Sequence, residues 1–394
     1  MMKRSIRVGI VLCMVTILLS VLSFKSMEAK ATSSSLQVSQ NRFSLTSCGK
    51  WSVVPSPNSS LVPDGLSAVA AISATDVWAV GTAGSQTSSG QTLTEHWNGT
   101  NWQIVQSPNP GTRYNTLSGV TAISATNVWA VGYFVNDNQV TQTLTEHWNG
   151  TRWSVVKSPS PFSINNELFS VAAVSASNVW AVGFSTGSTT TDHTLIEHWN
   201  GTSWSVVKSP NPGSSSDSLS GVTAISGNNV WAVGASNTFS LTLIEHWNGT
   251  SWSVVKSPSP GSGDSLSDVS AVSANNVWAA GYTFNGSSIQ TLVEHWNGTS
   301  WQVVKSPNVG ASPSFWGLTA ISATDVWAVG SDRNSNNVTQ PLTAQWNGTQ
   351  WTVVKSPNPG SFNTQLVSVA AISATDVWAV GHADSVTLVE HFHC

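Results

Sequence analysis

Three phrases, each built on a tryptophan, recur along this chain at near-constant spacing. V-W-A-V-G, or V-W-A-A-G in the fifth copy, places Trp78, Trp129, Trp180, Trp231, Trp278, Trp327 and Trp378. H-W-N-G-T, or Q-W-N-G-T in the sixth copy, places Trp97, Trp148, Trp199, Trp247, Trp296 and Trp346, and Phe392 ends that series. W-x-V-V or W-x-I-V uses Trp51, Trp102, Trp153, Trp204, Trp252, Trp301 and Trp351. The spacing runs from 47 to 51 residues, and of the 21 tryptophans only Trp316 stands outside the three series. A fixed period of this length marks a stack of equivalent structural units. Charged residues make up only 9% of the chain, against about 25% in ordinary soluble domains. That excludes a coiled coil or helical solenoid, which lean on Glu and Lys. It also argues against a nucleic-acid binder, since no basic surface is available to meet phosphates.

Each unit reads as four short strands. In the second they are Leu117 to Ser124, Val128 to Tyr133, Thr143 to Trp148 and Trp153 to Lys157, rich in Val, Ile, Thr and Trp. Gly, Asn, Ser and Pro fill the gaps, and no stretch carries a helical period long enough for a crossover. Asn149-Gly150 predicts a hairpin with left-handed backbone angles. Four antiparallel strands per fifty residues predict an all-β fold, a seven-bladed β-propeller. The chain opens on a fourth-strand phrase, Trp51-Ser52-Val53-Val54, and finishes on a third-strand phrase, Thr387 to Phe392. The N-terminal strand is therefore expected to complete the seventh blade as its outer strand, giving a propeller over residues 48–394.

Lys3, Arg4 and Arg7 precede an apolar run from Val8 to Phe24, and Ala29-Lys30-Ala31 fits a small-x-small cleavage site. Residues 1–31 thus read as a signal peptide, with a retained signal anchor as the competing reading, and residues 32–47 as a lead-in. Removing residues 1–31 takes the formal charge from −4 to −8, with 10 Lys and Arg against 18 Asp and Glu. The expected location is secreted or cell-surface associated, with no membrane span after cleavage. Cys48 and Cys394 align with the same turn position, Gly99, from opposite ends of the chain. A disulfide between them would replace the turn missing from the last hairpin; two unpaired thiols are the alternative.

The repeated polar residues read as structural. Glu-His recurs before the third-strand aromatic, from Glu95-His96 to Glu390-His391, and becomes Ala344-Gln345 in the sixth copy. Adjacent strand residues face opposite ways, and copies are spread around a ring, so the histidines are not expected to converge on a metal. They are expected to tie blades together by hydrogen bonds to backbone or indole groups. The Asp or Asn before V-W-A-V-G (Asp76, Asn127, Asn178, Asn229, Asn276, Asp325, Asp376) reads as a turn cap. No metal or cofactor is expected.

Variation among the seven copies collects on one face, in the second-to-third-strand loops and the blade-to-blade links. Binding residues favour variable loops on a rigid scaffold. The candidates there are Trp316, Tyr114, Tyr133, Phe134, Tyr282, Phe284, Asp137 and Arg333, with Phe162, Glu167, Asp192 and Asp384 behind them. Asp268 replaces the small residue usual at its inner-strand position and is expected to reach the central channel. No G-x-S-x-G, H-E-x-x-H or P-loop is present, so an enzyme ranks below a binding module, although two loop-face carboxylates could still form a glycosidase pair.

The phrases V-W-A-V-G, E-H-W-N-G-T-x-W and V-V-K-S-P-N-P resemble those of exported bacterial tandem-repeat propellers, over about residues 48–394. The chain is loosely similar to kelch and galactose-oxidase-like propellers but lacks the kelch double glycine and any matching copper ligands. The resemblance implies fold and export and no catalytic role. The reading that results is a monomeric extracellular binding module. Its expected partner is a glycan or polysaccharide on the variable face; a protein-binding or structural surface propeller is the first alternative and a glycoside hydrolase-like enzyme the second.

Overall fold

The computed structural model describes residues 49–85, 89–188 and 191–394. The expected signal peptide, the expected lead-in and Cys48 lie outside the described residues. Within them the chain forms seven four-stranded antiparallel sheets, six of them running from an inner to an outer strand in chain order. The seventh holds Thr364–Ser373, Asp376–Ala383 and Val386–His393, and its outer strand is the N-terminal Lys50–Val53, with Trp51 opposite Phe392. The fold is the seven-bladed propeller that the repeat predicts, closed by the N-terminal strand. Cys394 is disulfide-bonded. Among the described residues no helix is long and apolar enough to cross a membrane.

Strand lengths differ from the sequence reading. In blade two the inner strand is Tyr114–Ser124 and the second Asn127–Val135, both reaching further toward the variable face than expected. The outer strand is only Trp153–Val155. Beyond it the Val156 N–H bonds the Thr145 carbonyl once more at 2.9 Å, and the Ser-Pro link then leads the chain away. Short outer strands followed by proline leave little open edge for unwanted pairing.

Every inner strand carries a bulge after its first core residue, between Leu66 and Ala68 in blade one and between Phe315 and Gly317 in blade six. The bulge drives the inner backbone toward the second strand. A Cβ on Gly81 would overlap the Gly65 carbonyl oxygen, and the same holds at Gly132, Gly183, Gly234, Gly281, Gly330 and Gly381. This close approach is why the repeated V-W-A-V-G phrase ends in glycine.

The seams between blades are aromatic. Trp78 of blade one packs on Trp148 and Trp153 of blade two, with ring centroids 4.8 and 5.3 Å away. At the closing seams Trp327 meets Phe392 and Trp51 at 4.7 and 5.4 Å, and Trp378 meets Trp97 and Trp102 at 5.1 and 5.5 Å. The N-terminal strand therefore brings the aromatic that completes the ring, each such pair contributing about 0.5–1.5 kcal/mol beyond burial.

The polar repeats are structural, but by a different wiring from the one expected. His96 Nε2 lies 2.8 Å from Asp76 Oδ1 and His147 Nε2 2.9 Å from Asn127 Oδ1, both within one blade. The imidazole also stacks on its own blade's tryptophan, 4.3 Å away for Trp78 and His96. The histidines thus do not join blades. In blades four and seven that role falls to the neighbouring glutamate, which faces the other side of the strand. Ser209, in the link leaving blade three, contacts Thr194 Oγ1 of that blade at 2.5 Å and donates to Glu245 Oε2 of blade four at 3.1 Å. Ser356 donates in the same way to Glu390 at 2.5 Å.

The Asn-Gly turns also depart from expectation. Trp148 pairs with Trp153, leaving a four-residue loop in which only Gly150 is left-handed, at φ +93°. Asn149 Oδ1 instead accepts the Thr151 and Arg152 N–H groups, both at 3.0 Å. The asparagine caps its own loop, which is the reason for the repeated Asn-Gly-Thr.

Candidate functional site

Trp316 lies within the inner strand of blade six, Ser314–Ser322, and not in the link that precedes it. It is the bulged residue, the one left without a partner between Phe315 and Gly317. The same place holds Ser67, Ser118, Phe169, Ser220, Ser267 and Val367 in the other blades. A bulge re-aims a side chain out of the sheet, and here it points an indole into a cavity of about 340 Å³ between blades five, six and seven.

The cavity collects three of the sequence candidates. Trp316 and Tyr282 form its aromatic walls, with ring centroids 6.3 Å apart at 59°, and Arg333 stands at its exposed edge. Trp316 Nε1 donates to Ser331 Oγ at 3.1 Å, which fixes the indole plane. Arg333 Nη1 reaches Asn337 Oδ1 at 3.4 Å. Ser312, Ser314, Thr339 and Gln365 add hydroxyl and amide groups. Asp332, 2% exposed, accepts from Gln340 Nε2 at 3.2 Å. Burial holds the Tyr282 hydroxyl above its ordinary pKa, so it stays a neutral donor and acceptor. Two aromatic faces with convergent hydroxyl, amide and guanidinium groups suit a polar ligand with an apolar ring face.

Blade six departs from the repeat at framework positions as well as in its loops. Pro313 stands where other blades have Asp64, Asn115, Asn166, Asp217, Asp264 and Thr364, which accept backbone N–H groups of the incoming link. Asp332, on the adjacent strand, faces that link instead, accepting the Ser312 N–H at 3.4 Å. Phe315 replaces Leu, Pro341 replaces Thr, and Ala344-Gln345 replaces Glu-His.

Trp316 also lines the central channel, where the inner strands enclose about 210 Å³. Asp268 reaches that channel as expected. Its carboxylate accepts the Val269 N–H and the Leu318 N–H of the next blade, both at 2.8 Å, and burial raises its pKa to about 7. Ser170 and Ser368 accept next-blade N–H groups in the same way, at 3.2 and 3.3 Å. Asp268 is therefore a stitch between blades.

The remaining candidates are not brought to the Trp316 cavity. Tyr114 and Tyr133 pack on each other at 5.9 Å in blade two, and Phe134 packs against that blade's core. Phe284, 38% exposed, ends the second strand of blade five. Asp137 accepts from Thr112 Oγ1 at 2.5 Å and latches a loop. Asp384 accepts the N–H groups of Ser361, Phe362 and Asn363. Phe162 stacks on His193 at 5.8 Å. Glu167 lies beside Asp192, and burial, with that neighbour, raises its pKa to about 7. The sequence reading passed over Ser312, Ser331, Asp332, Thr339 and Gln365. The clustered exceptions in the sixth copy were the signal that pointed to them.

Among the described residues no group of three or more His, Cys, Asp or Glu is placed to hold a metal ion. No family model matches the chain, and no curated protein matches it. Solved structures do. YCF48 bound to a D1 peptide is similar with a TM-score of 0.54 at 13% identity, over 86% of this chain and 94% of that one. YCF48 from Cyanidioschyzon merolae gives 0.53 at 14%, over 87% and 98%. The WD40 β-propeller domain of Doa1 gives 0.55 at 14%, over 86% and 96%. The likeness is one of fold, spread over propellers of different kinds.

Proposed function

We propose that this chain is an exported, monomeric binding propeller whose variable face takes an extracellular glycan in the Trp316 cavity. The observation that carries the reading is the coincidence of two kinds of exception. The blade that breaks the repeat at framework positions supplies most of the cavity, and it places the one tryptophan outside the repeat on its wall. The leader in residues 1–31, a Cys48–Cys394 disulfide closing the 48–394 ring, and kinship with bacterial tandem-repeat propellers belong to the same proposal. Trp316 and Tyr282 would stack on sugar rings, and Arg333, Gln365 and the serines would take up hydroxyl groups.

The test is binding of the purified protein to a panel of soluble and insoluble polysaccharides, with Trp316→Ala and Arg333→Ala alongside. Loss of one aromatic platform is expected to weaken binding about 10- to 100-fold, or roughly 1.4–2.8 kcal/mol. A flat panel with folded protein would overturn the glycan reading. A second reading, a protein partner, is favoured by phenylalanines exposed on the variable face, Phe162, Phe239, Phe284 and Phe362, the last at 63%. The peptide bound by YCF48, a propeller of similar fold, supports this second reading. Replacing Phe239 and Phe362 by serine separates the two readings, since the glycan site contains neither.

A further inference from the structure

Away from the variable face, two grooves of about 420 Å³ each occupy equivalent places four blades apart. One lies between blades one and two, the other between blades five and six. Each is walled by the Ser-Pro link of one blade and by the third-strand tryptophan and Asn-Gly-Thr loop of the next. The floors are Trp148 and Trp346, both only partly buried.

The polar residues of these two grooves are exchanged between the walls. In the first, the link gives Gln106 and the loop gives Arg152; in the second, the link gives Lys305 and the loop gives Gln350. Each groove therefore keeps one cation and one amide, although the cation has changed sides. The corresponding link position is Lys157, Lys208, Lys256 and Lys355 at four further seams, all exposed. The seam joining blades seven and one, with Pro55 and Asn101, is the exception. Edge protection explains a lysine beside an outer strand. It does not explain Arg152, which sits on a turn and restores the charge where the link has lost it.

The formal negative charge of the chain does not contradict a cationic perimeter. Six of its carboxyl groups, Glu95, Glu146, Glu197, Glu245, Glu294 and Glu390, are 0% exposed. Asp137 and Asp384 lie on variable-face loops. Cations thus recur around the rim at one blade spacing, and in the two grooves the cation lies beside a tryptophan edge and hydroxyl groups.

We propose that the seams form a repeated perimeter array that binds a carboxylate-bearing polysaccharide, each occupied groove pairing its cation with one acidic sugar. This surface is separate from the Trp316 cavity and does not depend on it. Several weak, similar contacts along one polymer combine through effective concentration, which suits sites that are individually shallow.

The test is binding to polygalacturonate at low ionic strength, with neutral dextran as the control polymer. Purified wild-type protein is compared with a Lys157→Gln, Lys208→Gln, Lys256→Gln, Lys305→Gln variant and with the same four positions changed to Arg. The Gln variant is expected to lose about tenfold or more in affinity and to show a weaker salt dependence, while the Arg variant retains both. Trp316→Ala is run alongside: loss of polygalacturonate binding in that variant with binding retained by the Gln variant would assign the polymer to the Trp316 cavity and overturn the proposal. Undiminished binding by the Gln variant, equal binding of dextran, failure of the Arg variant to bind, or no polygalacturonate binding by the wild type would each overturn the proposal. The four lysines are exposed, so near-UV circular dichroism of the variants is expected to match the wild type.

Discussion

Blades two and six share strand order, a bulge at the same place and the same glycine against it. They differ in what surrounds that frame. Blade two keeps each polar pair of the repeat: His147 with Asn127, Thr143 with Ser158, and Asn115 capping the link at Gly111. Blade six keeps one pair in altered form, Gln345 with Asp325 at 2.9 Å, moves the link-facing role from Pro313 to Asp332, and drops the Thr and Glu. The comparison separates two layers of the repeat. Aromatic seams and bulge glycines hold in all seven blades because ring closure needs them. The polar pairs around the loop face can be rewired, and where several were rewired together a cavity opened.

The largest effect should fall on the layer that never varies. Trp180, 2% exposed, packs on Trp247 and Trp252 of the next blade at 5.0 and 5.5 Å. Trp180→Ala is expected to destabilise the propeller by about 3–5 kcal/mol, measured by chemical denaturation. Trp316→Ala should lose about 1 kcal/mol or less, because its indole faces a cavity. Similar losses at the two sites would show that Trp316 is a packing plug and would remove the main support for a ligand platform there. Ring closure comes next. With the proposed partner Cys48, the bond would constrain a very long loop, so Cys394→Ser is expected to lower stability by about 2–4 kcal/mol, and a reductant should reproduce the shift in wild type but not in the variant.

The buried glutamates set the pH dependence. Burial, which outweighs the serine beside it in the link, raises Glu146 to about 8. Glu95, Glu245 and Glu294 also reach about 8, with Asp64, Asp217 and Asp264 adding to burial, and Glu390 reaches about 7. Glu197 is raised by burial as well. A raised native pKa means the folded state holds a proton that the unfolded chain has released. That contribution is complete below about 4.5 and is lost as pH rises through 7 to 8. Burial acts oppositely on His147, His198, His246 and His295, lowering their pKa. Those groups reduce stability as pH falls below about 6.5. Between about 6.5 and 8 the glutamate slope is unopposed, so the melting temperature should fall across that window. Glu146→Gln should flatten the slope and Ala344→Glu in blade six should steepen it. An unchanged slope in both would mean that the carboxyl groups titrate normally.

The fold was legible because its constraints are repeated seven times: strand phrases, period and mismatched chain ends were enough to place the closing strand. The site was legible only in part. Trp316 stood out as an exception, but its place on a bulge depends on backbone geometry that a strand of ordinary composition does not advertise. Phe134 and Tyr282 were assigned to loops, and Tyr133 to the last position of its strand, because the second strands run further than their V-W-A-V-G phrase. His96 and Asp76 were given separate roles because they lie 20 residues apart, whereas a side-chain donor faces an Asp or Asn oxygen in all seven blades. The perimeter grooves were missed for the opposite reason. They recur, and recurrence was read as structure alone.

The smallest expected effect tests that pairing of columns. Blade six replaces His by Gln, and Gln345 Nε2 donates to Asp325 Oδ1 as the imidazoles do to Asp76 or Asn127. If the column is defined by a donor to the residue before V-W-A-V-G, then Gln345→His should change stability by less than about 0.5 kcal/mol. Gln345→Leu keeps much of the bulk but removes the donor, leaving a partly buried carboxylate without that partner, and is expected to cost about 1 kcal/mol or more. Asp325 is already raised by burial, and the Gln345 bond works against that rise. In the Leu variant its pKa should therefore climb further, which NMR titration of the carboxyl would register. Equal stability and an unmoved Asp325 in all three proteins would show that the position is filled for shape, and the polar layer of the repeat would then have to be explained by packing as the aromatic one is.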